Sequence, residues 1–160
     1  MNLASFNELP DQTAEHELLM CCSAPRWAGE VAAGRPYQGL DQLLRAADRA
    51  LREVDLDAGL AGHPRIGERT TSATSRREQA GVAGAPAEVL AALREGNQAY
   101  ERRFGHVYLV CATGRSAVEL LDVLHARLAN DEPTERRTVR AELAKINRIR
   151  LVKLFEEESP

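Results

Sequence analysis

Apolar residues recur every three or four positions along almost the whole of this 160-residue chain, a spacing that puts them on one face of a helix rather than of a strand. Gly39 to Val54 is the clearest stretch, with Leu40, Leu43, Leu44, Ala47, Leu51 and Val54 on one stripe. Thr13 to Cys22 opens on a residue suited to an N-cap and carries Leu18, Leu19 and Cys22 on one side. Pro25 suits the first turn of a short helix holding Trp27 and Val31. Asp55 can cap another that ends near Ala61, and Ser75 to Val82 reads as a further short one. Pro86 opens a long helix to about Arg103, with Val89, Leu90, Leu93, Tyr100 and Phe104 along one stripe. Ser116 and Glu119 have capping-box spacing ahead of a helix to about Ala129, and Pro133 starts a last long helix to about Glu156. The pattern predicts an all-α, single-domain helical bundle over residues 1–160, with about seven or eight helices and a long ordered site loop. Helices this short are marginal alone, so packing between them must stabilise the fold.

Aromatic residues make up only 4% of the chain, so the core falls to Leu, Val, Ile and Ala. A net charge of -3 argues against general nucleic-acid binding, which asks for a basic face. No apolar run approaches the ~18 residues of a membrane span. Met1 to Pro10 lacks the basic and apolar stretches of a secretory signal, and the acidic ending Glu156 to Pro160 is no receptor-read address. Cys21, Cys22 and Cys111 are odd in number and two are adjacent, which reads as reduced thiols in a cytoplasmic protein. No two histidines have metal-pair spacing, so no metal site is expected.

One stretch breaks the helical texture. Gly62-His63-Pro64-Arg65-Ile66-Gly67 presents an imidazole on a loop that Pro64 stiffens and two glycines allow to turn. Such a histidine is either simply exposed or placed for acid–base work near neutral pH. Thr70 to Ser75 then supplies hydroxyls. Ser75 and Glu78 again have capping-box spacing, which would engage Glu78 with the Ser75 backbone; the alternative aims Glu78 at a ligand or at His63. Tyr108 to Ala112 is an extended apolar run. Non-helical backbone in a helical protein leaves N–H and C=O groups to be satisfied locally or by an amide-rich ligand. Cys111 lies among apolar neighbours and reads as a packing residue.

Two polar residues fall on apolar stripes. Arg150 lies four residues after Ile146 and four before Leu154. An inward guanidinium is costly unless paired, so it should meet an acidic partner or an anionic ligand, or reach water along its stem. Asn97 lies on the apolar side of its helix and should bond the backbone of a neighbouring loop.

Taken in order, His63-Pro64-Arg65-Ile66-Gly67, Ser75-x-x-Glu78-Gln79-Ala80-Gly81, Asn97-x-x-Tyr100-x-x-x-Phe104-Gly105, Tyr108 to Ser116 and Ile149-Arg150-Leu151 resemble the 2-oxo-4-hydroxy-4-carboxy-5-ureidoimidazoline (OHCU) decarboxylase family of urate breakdown. The likeness runs from about Phe6 to Phe155. It implies a helical bundle, often a homodimer, that converts a small ureide to (S)-allantoin and CO2 without metal or organic cofactor. It implies catalytic roles for His63 and Glu78. It implies substrate contacts from Pro64, from Ser75, Arg76, Arg77 and Gln79, from Tyr108, Leu109, Val110, Cys111 and Ala112, and from Arg150. The loop between His63 and Ser75 is shorter than in animal members, and Tyr108 stands where Phe is common. The competing reading is a non-catalytic helical interaction module, which would show an exposed apolar groove and an outward His63.

Overall fold

The computed structural model describes residues 1–68, 70 and 72–156. Thr71, within the predicted hydroxyl run, and residues 157–160 of the acidic ending lie outside them. Among the described residues there are nine helices: α1 (Leu3–Glu8), α2 (Asp11–Leu19), α3 (Pro25–Ala33), α4 (Leu40–Leu51), α5 (Leu56–Leu60), α6 (Ala73–Glu78), α7 (Ala87–Phe104), α8 (Ala117–Leu128) and α9 (Glu132–Glu156). The all-α class holds. None of these helices is long and apolar enough to cross a membrane.

Local chemistry fixes most boundaries. Pro25 opens α3, the Asp55 carboxylate accepts from the Asp57 N–H to start α5, and Ser116 caps α8 through the Glu119 N–H. Pro86 precedes α7, which stops at Gly105 in the left-handed region, φ +79°. Three expectations are corrected. The count exceeds seven or eight because α1 forms, with Asn2 accepting from the Ser5 N–H at 2.8 Å. α2 starts at Asp11 behind Pro10 rather than at a Thr13 cap, and it ends before Cys22. Proline has its φ pre-set for the turn into a helix, which favours the earlier start. α6 spans Ala73–Glu78 rather than Ser75 to Val82.

The chain forms two compact units, Met1–Ala61 with Leu143–Pro160, and Gly62–Glu142. In the first, α3 packs on α2 and on α4. Trp27, Leu18, Val31 and Leu43 are fully buried there, and the Trp27 indole N–H donates to the Ala47 carbonyl at 3.0 Å. Phe6 meets Phe155 edge-on, with centroids 5.2 Å apart. In the second unit α7 packs on α8, around a core of Ile66, Leu93, Tyr100, Tyr108, Val110, Leu120 and Leu124. Burial of such side chains contributes about 1.5–3 kcal/mol each. The three cysteines are free thiols, all buried.

Candidate active site

The second unit holds most of the residues singled out above. Its His63 loop is shaped by glycine and pinned by isoleucine. Gly62 and Gly67 take φ of +81° and +87°, backbone that a Cβ resists. His63 and Pro64 between them are half-buried. Ile66 drops into the core at 5% exposure. Asn97, on the buried face of α7, donates from Nδ2 to the Ile66 carbonyl at 2.9 Å, as its place on the stripe predicts. Gln79 accepts the Gly67 N–H at 3.1 Å. On the exposed edge Arg65 pairs with Glu101.

α6 follows. Its cap is Ser72, whose hydroxyl accepts from the Ser75 N–H at 3.2 Å. That overturns the capping-box reading of Ser75 and Glu78: the helix begins before Ser75, and the Ser75 N–H is already engaged. Glu78 instead sits in the last turn, half-buried. Ser75 is buried, Gln79 half-buried, and Arg76 and Arg77 are exposed. Just beyond, a Cβ on Gly81 would lie 2.0 Å from the Arg115 carbonyl oxygen. Main chain meets main chain there, so the end of the α6 segment abuts the exit of the extended run.

That run, Tyr108 to Ala112, is buried throughout and takes no regular secondary structure. The Tyr108 hydroxyl donates to the Leu120 carbonyl at 2.9 Å, and the Arg115 N–H to the Ala112 carbonyl at 3.0 Å. The Leu109 carbonyl accepts from Nη1 of Arg127. Among the described residues, the N–H groups of Leu109 and Val110 meet no acceptor of the protein. Buried main-chain donors are seldom left so.

Arg127 and Glu135 behind the run were not singled out from the sequence. Glu135 is fully buried and Arg127 5% exposed. Arg127 Nε reaches Glu135 Oε1 at 2.7 Å, Tyr100 donates its hydroxyl to the same oxygen, and Asn130 donates to Oε2 at 3.0 Å. The guanidinium also lies over the Tyr108 and Tyr100 rings, 5.0 and 5.8 Å from their centroids. Burial opposes its charge, but the hydrogen bonds and charge of Glu135 outweigh that and raise its pKa. Burial, and then the bond to Glu135, push the Tyr100 phenol well above its usual range. A signal was present: Leu120, Leu124 and Arg127 share the buried stripe of α8, the same anomaly that exposed Arg150.

A cavity of about 540 Å³ opens beside the loop, its walls including Gly67, Thr70, Arg76, Gln79, Val82 and Leu90. Of the candidate residues it brings Arg76 and Gln79 together; His63, Glu78 and the 108–112 run are not among its described walls. Arg150 belongs to the first unit, half-buried on α9. Its Nη1 donates to the Cys21 carbonyl at 3.0 Å, so a main-chain oxygen meets part of the demand that its inward position creates. Burial raises the neighbouring Cys22 thiol pKa above its ordinary value. Among the described residues no three His, Cys, Asp or Glu side chains gather as a metal could use.

The fold has counterparts among solved structures. A crystal structure of OHCU decarboxylase in the presence of (S)-allantoin superposes with a TM-score of 0.76 at 24% identity, covering 92% of this chain and 99% of that one. A crystal structure of (S)-allantoin synthase gives 0.73 at 15% identity, covering 96% of this chain and 54% of that one. These likenesses establish the fold. The chain itself belongs to the OHCU decarboxylase family, whose sequence profile matches residues 7–152. It is 27% identical to the uric acid degradation bifunctional protein TTL of Arabidopsis thaliana, over 92% of this chain and 49% of that protein. It is 29% identical to the uric acid degradation bifunctional protein PucL of Bacillus subtilis, over 96% and 32%. It is 27% identical to the 2-oxo-4-hydroxy-4-carboxy-5-ureidoimidazoline decarboxylase of Amia calva, over 82% and 81%. The chain thus spans about half of the Arabidopsis protein and a third of the Bacillus one.

Proposed function

We propose that this chain decarboxylates OHCU to (S)-allantoin and CO2. The observation that carries the reading is family membership over residues 7–152, nearly the whole chain. Two features of the second unit support it. Ser72 takes the capping role, which leaves Glu78 in the last turn of α6. The Leu109 and Val110 N–H groups suit a ligand rich in amide carbonyls. The interaction-module alternative drew part of its support from the Ser75–Glu78 cap and loses that part here, keeping only the Ala- and Leu-rich helical content.

OHCU carries a carboxylate and a hydroxyl on one ring carbon beside a C=N bond. When the bond to the carboxylate breaks, its electron pair forms a C=C bond to the neighbouring carbon, and the C=N pair moves to nitrogen, which takes a proton. The hydroxyl then gives up its proton and becomes a carbonyl, while the neighbouring carbon is protonated on one face. The substrate is its own electron sink, so the protein has to orient it, stabilise charge and deliver a proton from one side. His63 serves the hydroxyl and carboxylate end as acid–base or electrostatic catalyst. Glu78 orients His63, or repels the leaving carboxylate so that neutral CO2 departs. Pro64, Ser75, Arg76, Arg77, Gln79 and the main chain of Tyr108 to Ala112, Cys111 included, bind the ureide. A homodimer and a cytoplasmic setting belong to the same proposal.

The test follows the ultraviolet decay of freshly made OHCU and the optical activity of the allantoin formed. The parent protein should give one enantiomer faster than spontaneous decay gives the racemate. His63→Asn and Glu78→Ala should each lose about 10²-fold or more in turnover with the fold intact. Unchanged enzyme-dependent decay in both variants would remove these residues from the chemistry.

A further inference from the structure

Two deeply buried charges of the second unit, Arg127 and Glu135, have no part in the chemistry above, yet they grip the segment that does. Arg127 uses its planar fork in two directions: Nε and Nη2 go to Glu135, and Nη1 goes to the Leu109 carbonyl. Glu135 is held in turn by the Tyr100 hydroxyl and the Asn130 amide. Every member of this cluster is paired, so its geometry is fixed from several sides.

The consequence passes through one peptide plane. The Leu109 C=O and the Val110 N–H belong to the same planar, trans peptide, so they point in opposite directions. Fixing the carbonyl on Arg127 fixes the heading of the Val110 N–H, away from the guanidinium. That N–H meets no acceptor among the described residues, although Val110 is only 3% exposed. We propose that Arg127, braced by Glu135, is a positioning residue that aims the Val110 N–H at a carbonyl oxygen of the ureide substrate. The inference rests on the functional reading above for the identity of that acceptor. Arg127 touches no reacting atom. It presets a donor that the substrate would otherwise have to order on binding, and pre-ordering of this kind appears as affinity.

Arg127→Lys keeps the charge but loses the fork, so one ammonium cannot serve Glu135 and Leu109 in the same geometry. Tyr100→Phe loosens Glu135 with little change of shape. Leu124→Ala is the control. Leu124 lies one turn earlier on α8 and packs against Gly96 of α7, so its loss destabilises the same helix without touching the Leu109 carbonyl. Steady-state kinetics on OHCU should show KM raised about tenfold in Arg127→Lys with kcat within about threefold, the mark of lost binding rather than lost chemistry. Tyr100→Phe should raise KM by about two- to threefold, and Leu124→Ala should leave it within about twofold. In the unliganded, ¹⁵N-labelled protein, the residual dipolar coupling of the Val110 N–H should change in Arg127→Lys and Tyr100→Phe but not in Leu124→Ala.

A KM within twofold of the parent in Arg127→Lys, or an equal rise in the control, would overturn the inference. So would an unchanged Val110 coupling, whatever the chain does with OHCU. A parent protein that leaves OHCU untouched sinks the functional reading instead, and the coupling still decides whether Arg127 aims the donor. Should Arg127→Lys not fold, Tyr100→Phe carries both measurements.

Discussion

The 63–79 segment and the 108–112 run sit in one unit and are held in opposite ways. The first presents side chains from a half-exposed loop. Its ties include a buried amide bond to Ile66, a bond from Gly67 to Gln79 and an ion pair at the rim. The second presents main chain from the interior, and behind it stands a desolvated ion pair whose every arm is engaged. The contrast separates two kinds of dependence. Where a segment presents its side chains from a half-exposed loop, damage should appear in turnover before it appears in stability. Where it leans on buried charge, damage should appear in stability first.

Removing a brace of the inner run is the severest way to test that contrast. Glu135→Ala strands the Arg127 charge in the interior, and the expected loss is about 3–5 kcal/mol in urea unfolding. A loss under about 1 kcal/mol would erase the difference between the regions. Asn97→Ala comes next. It leaves the Ile66 carbonyl unpaired, but it also removes an amide oxygen that has no protein partner among the described residues. The two effects oppose each other, so the cost should be only about 1–2 kcal/mol. The kcat/KM for OHCU should nevertheless fall about tenfold as the loop loosens. Equal activity with lower stability would place Asn97 among ordinary packing residues. Arg65→Ala is the mildest. Arg65 itself is exposed and reaches a half-buried Glu101 at the rim, where ion pairs count for little, and Tm should move by no more than about 1 °C. A shift of several degrees would mean that the rim carries more of the loop than its exposure implies.

Signals that act within one turn of chain were legible from sequence. Pro25, Asp55, Pro86 and Ser116 each mark a helix start where one is found. Asn97 was legible because a polar group on an apolar stripe must find a partner, and the nearest irregular backbone supplies it. The cap of α6 was not. Thr70, Thr71, Ser72, Thr74 and Ser75 offer five hydroxyls in six residues, and spacing alone does not choose among them. α1 is six residues long, too short for a stripe to show. For Arg150 the inward placement was readable, whereas its Cys21 carbonyl partner comes from 129 residues away and depends on tertiary folding. Arg127 and Glu135 were missed for a related reason. Each sits on the buried side of its own helix, and only the packing of the two shows that one answers the other.

Ile66 also bears on how such a loop can change over time. His63 stands three residues before an anchor sunk in the core and tied to α7. Ser72 begins the next fixed element five residues after Gly67. Insertions or deletions between Gly67 and Ser72 therefore leave the imidazole's tether untouched. Length can drift on one side of the anchor, and rim contacts can diversify there, while the distance from His63 to its anchorage stays constant.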